Sequence, residues 1–330
     1  MKFRLVIGML LLSSGLPAQT LGEWLRPSLS SSTYVTESYV SQTGKFRNST
    51  LSALSATFGG GTPVQFALSY DVIGARFMGC EVAWKPRPEF GLRVGIQRMP
   101  FLLETTYSPR VLEAIGFSQA ASFLGGYSAD LTGKNSRSRD CGVVAEGSFL
   151  PRQGYSVISY VAGVFNGNGY SFRDDNGAKD FQGRLVIQPF ADWKISLGAM
   201  FGQYTVEADR LGKRNRLTAG FWYDNGKWFF RSEDIYGLTD RLRSNGISAL
   251  GGCWFRSNMA LSARYDRFRT DLSDASSVIT KAQVCFSHML IPSRDISYRV
   301  QYGHTFYADP ALDDADQISL CLIFRFSAQL

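Results

Sequence analysis

The chain has 330 residues, 45% of them hydrophobic and 14% aromatic, and a formal net charge of +7 at pH 7. That excess is too small and too dispersed for a nucleic-acid binder: the densest basic run, GKRNR at 212–216, falls short of a polyanion patch and reads as a hairpin tip. Five widely spaced cysteines, an odd number, exclude a complete disulfide framework, and with only two histidines beside them they argue against zinc, so no metal or other cofactor is expected.

The chain opens with Lys2 and Arg4, a short apolar run over 5–12, and the small residues SSGLPAQ. This is the layout of a secretory signal peptide, read here as 1–18 with cleavage after Ala18. The apolar run is well short of the roughly 20 residues of a spanning helix. Losing Lys2 and Arg4 lowers the charge from +7 to +5.

From there to the end, 19–330, one pattern recurs: segments of about ten residues alternating apolar and polar, separated by turn-forming residues. Strands are predicted at 33–41, 50–58, 63–71, 78–86, 90–98, 140–149, 155–165, 180–188, 193–204, 214–224, 227–236, 246–256, 258–268, 278–288, 295–304 and 316–326, sixteen in all, the first three being the weakest patterns. In WKISLGAMFGQY, Trp193, Ile195, Leu197, Ala199 and Phe201 share one face, and Lys194, Ser196, Gly198, Met200 and Gly202 the other. Tight turns near 87–89, 151–154, 191–192, 224–226 and 257 alternate with longer polar stretches at 166–177, 207–213, 239–245, 270–277 and 307–315. Strands of this length, aromatic residues towards their ends and alternating short and long connections favour a transmembrane antiparallel β-barrel, all-β, over a soluble sandwich. Outer-membrane lipid is then the solvent of the apolar faces, and closure satisfies every backbone group there.

Segment 101–139 breaks the alternation. It is too long for a hairpin and too apolar to hang in water, so it is expected to fold into the barrel as a constriction loop, with a short helix within 109–123 and with Arg110, Lys134, Arg137 and Arg139 near the narrowing.

Strand parity sends Lys85, Arg93, Arg184, Lys194, Arg216, Arg231, Arg256, Arg264, Lys281, Arg299 and Arg325 inward, against Glu81, Glu146, Glu233 and Asp266. Four acids cannot neutralise eleven cations, and rings of Arg and Lys in low-dielectric walls select anions. Arg93, Arg110, Arg184, Lys194, Arg216, Arg231, Arg264, Lys281 and Arg299 are therefore the candidate anion path. Charges at lipid-facing positions are confined to Arg98, Asp234, Arg267 and Asp316, all near strand ends.

The segments RVGIQRMPF (93–101), RDCGVVAEG (139–147), GVFNGNG (163–169) and AKDFQGRLVIQPF (178–190) resemble the phosphate-selective porin O and P family, over residues 60–326 and in the same order. The resemblance implies a sixteen-stranded bacterial outer-membrane barrel, a homotrimer, in which arginines and an inward loop guide phosphate-like anions. The final strand, ending on Phe324 and Phe326, also resembles the signal read by the bacterial barrel-insertion machinery. Two other readings compete. An enzymatic barrel needs a base, and parity places His288 and His304 at strand ends without an evident nucleophile. A non-conducting structural or adhesive barrel would carry long external loops, and these are mostly short.

Overall fold

The computed structural model describes residues 26–109, 111–207, 210–291 and 296–329. The signal-peptide reading of 1–18 and the candidate Arg110 lie outside the described residues. Sixteen strands form: β1 (Ser28–Val40), β2 (Lys45–Phe58), β3 (Val64–Asp71), β4 (Arg76–Arg87), β5 (Phe90–Arg98), β6 (Arg139–Arg152), β7 (Tyr155–Phe165), β8 (Asp180–Ile187), β9 (Trp193–Glu207), β10 (Arg210–Asp224), β11 (Trp228–Thr239), β12 (Leu242–Arg256), β13 (Met259–Arg269), β14 (Val278–Met289), β15 (Ile296–Tyr307) and β16 (Ala315–Gln329). Each pairs antiparallel with its neighbour in sequence. β16 returns to pair with β1, from Ser28 opposite Gln329 to Val40 opposite Gln317, and closes the barrel. All sixteen predicted strands are present.

Alternation sets the two faces. Trp193, Ile195, Leu197 and Phe201 point outward and are exposed, whereas Ser196 and Met200 are buried inside. On β16, Ile318, Leu320, Leu322, Phe324 and Phe326 are outward, while Ser319, Cys321 and Ile323 are buried. The five cysteines are unpaired. Two expected loops, 207–213 and 239–245, turn out to be mostly strand, because β9–β10 and β11–β12 pair to within two residues of their tips. Their amphipathic signal fails because both faces are polar there: Lys213 and Arg243 are exposed outward, and Arg214, Thr239 and Ser244 are buried inward.

One outward strip departs from the apolar belt. Ser31, Thr33 and Glu37 on β1 sit in register with Leu54, Ser52 and Asn48 on β2. Thr33 and Ser52 share a hydrogen bond at 2.8 Å, and Asn48 donates to Glu37.

The core is inside the barrel. Loop residues Phe101, Leu102, Leu103, Leu112, Phe117, Ala120, Ala121 and Leu124 pack against Met200, Trp222, Ile235 and Phe268 of β9, β10, β11 and β13. A second cluster sets Ala114 against Phe229, Leu250 and Ala260. Within the loop the helices are α1 (Leu103–Thr106), which was not expected, and α2 (Gln119–Leu124), which takes up only the last part of the 109–123 stretch where a helix was expected. Gly116, at φ +77°, interrupts that stretch, and Ser118 caps α2 by accepting from the Ala121 N–H at 3.2 Å. Wall glycines let the loop approach closely: a methyl at Gly198 would lie 2.0 Å from the Phe101 carbonyl oxygen, and one at Gly246 would lie 2.6 Å from Ala120 Cβ.

Phe268 stacks on Phe123 with ring centroids 4.7 Å apart. Phe268→Ala is expected to weaken loop docking by about 3–5 kcal/mol. Limited proteolysis should then cut within 99–138 while the barrel keeps its resistance to heat in detergent. Unchanged cleavage would show that this contact does not hold the loop.

Candidate functional site

A loop of irregular backbone placed inside a barrel carries carbonyl oxygens that must find donors. The wall supplies them as guanidinium groups. Arg184 Nη1 donates to the Pro100 and Leu102 carbonyls, both at 2.9 Å, and to Thr106 Oγ1. Arg264 donates to Gly116 O at 3.0 Å and Ile115 O at 3.5 Å, and Arg299 donates to Pro109 O at 3.0 Å. Arg216 donates to Leu124 O at 3.2 Å, where a cation meets the carbonyl end of α2, and also to Leu238 O. Arg98, at the loop's root, reaches Thr105 O and Tyr107 O at 2.6 and 3.1 Å.

Carboxylates complete the attachment. Glu233 on β11 accepts from the Leu103 and Glu104 N–H groups at 2.8 and 3.0 Å, capping α1 from the wall. Glu113 pairs with Arg231 through two donors. A column follows from there: Arg231 lies 4.4 Å from the Trp222 ring, Trp222 packs at a tilt on Tyr107 with ring centroids 4.7 Å apart, and Lys194 lies over Tyr107 and donates to its hydroxyl at 3.1 Å. Arg214, 1% exposed, is held by Asp180 at 3.4 Å and Asp130 at 3.9 Å and donates to Gly167 O.

These contacts redistribute the predicted anion path. Arg216, Arg264 and Arg299 face inward as parity requires, but they are sealed beneath the loop at 0%, 6% and 6% exposure and do not border open lumen. Lys281 donates to Gln317 at 3.1 Å. Lys194 and Arg231 border a separate cavity with Trp222 and Trp254. Of the loop cations expected near the narrowing, Lys134 pairs instead with Asp175 at 2.7 Å and Arg137 with Asp71 at 2.9 Å. The Lys134 ammonium holds the Asp175 carboxyl well below the usual carboxylate range. His288 contacts Asn258 and Tyr298, and His304 contacts Asp314 and Asp316.

The loop fills the β9–β13 side, and space remains along β2–β8. One cavity of about 550 Å³ includes Lys85, Arg87, Glu146 and Arg184. A second, of about 400 Å³, includes Glu81, Arg93, Arg98, Arg139, Glu146 and Arg184. Shared residues Glu146, Val161 and Arg184 make the two contiguous. Both acids are engaged: Arg93 pairs with Glu146 at 3.0 Å and Glu81 at 3.5 Å, and Lys85 pairs with Glu146 at 2.5 Å.

Arg98 is thus a lumen residue and not the lipid-facing exception that parity indicates. It is in register with Arg139 at the top of β5–β6, where the chain leaves the wall for the interior. Parity cannot signal that turn. Arg214, by contrast, shares the parity of Arg216 and already lies at the start of the predicted strand 214–224, so its place on the inner face was legible although it is absent from the predicted inward set.

The fold is shared with solved outer-membrane barrels. An anion-selective porin from Comamonas acidovorans aligns with a TM-score of 0.69 at 12% identity, over 91% of this chain and 99% of its own. OmpF of Salmonella typhi, in complex with daunomycin, aligns at 0.68 and 10% identity over 92% and 99%. OprB of Pseudomonas putida aligns at 0.68 and 11% identity over 95% and 97%. No protein-family model and no curated protein matches the sequence. The likeness is one of architecture, a closed porin-type barrel of sixteen antiparallel strands.

Glu104, in α1, accepts from Ser118 N and Oγ at 2.9 and 2.6 Å. Burial pushes its carboxyl up to about 7, against the opposing pull of Arg264 and Ser118 and with the help of Asp266 and Glu233. A carboxyl raised above its ordinary value of 4.5 binds its proton more tightly in the docked loop. Docking is therefore firmest below that value and loses this contribution as pH rises through about 7. Hydrogen exchange across 103–124, corrected for intrinsic rates, should be faster at roughly pH 8.5 than at roughly pH 5.5. Glu104→Gln should flatten the difference.

Proposed function

We propose that the protein is a bacterial outer-membrane channel for passive diffusion of small anions, phosphate-like solutes among them, along the β2–β8 side of its lumen. The observation that carries this reading is the lining of the two contiguous cavities. Lys85, Arg87, Arg93, Arg98, Arg139 and Arg184 face only Glu81 and Glu146. In low-dielectric walls such an excess concentrates anions and repels cations. The apolar outer belt suits lipid, and the aromatic end of β16 suits recognition by the barrel-insertion machinery. The likeness to an anion-selective porin is in keeping with the charge argument.

In planar bilayers under a KCl gradient, the reversal potential should lie on the chloride side. Lys85→Glu with Arg87→Glu should lower the chloride-to-potassium permeability ratio roughly threefold. Cation preference in the unaltered protein, or no conductance at all, would overturn the reading.

The polar strip on β1–β2 supports a homotrimer, since Glu37, Asn48, Thr33 and Ser52 suit another protein surface better than lipid. A barrel of Vibrio cholerae with the same fold is described in a trimer form. Thr33→Trp with Ser52→Trp should leave the barrel folded and shift its mass in detergent from three copies to one, by light scattering. On a lipid-covered face the same change would leave the mass unaltered.

A further inference from the structure

Within the 400 Å³ cavity, three guanidinium groups have no carboxylate within ion-pair distance among the described residues: those of Arg98, Arg139 and Arg184. Two of them have structural employment, because Arg98 and Arg184 hold loop carbonyls. Arg139 differs. Among the described residues its guanidinium makes no hydrogen bond and no ion pair at contact distance; it lies near Gly79, borders the cavity, and has Glu81, Tyr170, Arg98 and Arg137 as its electrostatic neighbours. A lumen cation that no protein acceptor touches is placed for a solute.

The remaining lining narrows the kind of solute. Ser55, Thr57 and Ser69 face the same space from β2 and β3, with Gln97 on β5. The Gln97 Oε1 is buried and has no hydrogen-bond partner. A volume of about 400 Å³ is in the range of small organic ligands and is far more than a bare oxyanion fills. Guanidinium forks recognise a carboxylate or a phosphate head equally well, and a wall of hydroxyls and an amide exchanges hydrogen bonds with a polyhydroxylated body.

We propose that Arg98, Arg139 and Arg184, together with the Ser55–Thr57–Ser69 wall, form a binding subsite for a hydroxylated organic anion, a sugar acid or a sugar phosphate. The subsite rests on the anion-channel reading and adds a preferred solute class to it.

The test uses the full barrel in planar bilayers in symmetrical KCl, with gluconate, glucose 6-phosphate, inorganic phosphate or glucose added. At least one sugar anion should interrupt the current at concentrations where inorganic phosphate and glucose do not. Which of the two blocks identifies the head group. Arg139→Gln should raise the half-blocking concentration about tenfold, and Arg139→Lys, which keeps the charge but loses the fork, should fall between. Arg267→Gln, on the outer face, should leave block unchanged. The subsite is refuted if neither sugar anion blocks, if inorganic phosphate or glucose blocks as strongly, or if Arg139→Gln has no effect. Chloride preference in a KCl gradient is read on the same channels. Its survival in any of those cases leaves the channel standing without the subsite, whereas its absence in the unaltered protein removes both.

Discussion

The structure depends on one constraint: an irregular segment of some forty residues lies inside a barrel, where its backbone carbonyls need donors that neither a strand ladder nor bulk water provides. A guanidinium offers five N–H donors in a rigid fork and stays charged when buried, so it is the side chain best able to bridge a wall to several carbonyls at once. Arg184, Arg216, Arg264 and Arg299 do this along the wall, and Arg98 does it at the root. The apolar contacts of Phe101, Leu102 and Leu124 exclude water from the join, and that exclusion is what makes each unmet carbonyl costly.

This changes how a surplus of wall cations is read. Counting Arg and Lys against Asp and Glu assumes that only carboxylates can satisfy them. Here carbonyl oxygens, including those at the C-terminal ends of α1 and α2, serve several arginines, and Arg216 has no carboxylate within ion-pair distance among the described residues. The inward positive excess therefore has two components. One is spent under the loop on β9–β15. The other borders the cavities on β4–β8.

The barrel was legible in the sequence because its two solvents impose a period of two on every wall segment, and a closed sheet leaves no strand free to depart from it. The pattern faded where one of the two solvents was missing. At the tips of β9–β12 both faces are polar, with Arg214, Thr239 and Ser244 buried inward and Lys213 and Arg243 exposed outward, and 207–213 and 239–245 read as loops. Inside, Met200, Ile235 and Phe268 are apolar at lumen positions. Such residues mark where the loop docks, a signal present in the sequence. Which arginines the loop would cover was not legible, because that follows from the path of a non-periodic segment. The inward turn of Arg98 and Arg139 is a tertiary event of the same kind.

Loop position and the charge of the open lumen are coupled through particular side chains. Arg184 fixes Pro100 and Leu102 and also borders both cavities, so its charge and its clamp cannot be changed separately. Arg216, fully buried, holds the loop at Leu124 O and the wall at Leu238 O and borders neither of these cavities, whereas the Arg139 guanidinium borders one of them and clamps no loop carbonyl. The wall thus contains cations of three kinds, distinguished by what lies opposite each one and not by residue type. A loss of conductance on changing Arg184 would say little about which role failed. The contrast between Arg216 and Arg139 separates them, because one moves the loop under a constant lining and the other alters the lining beside a fixed loop.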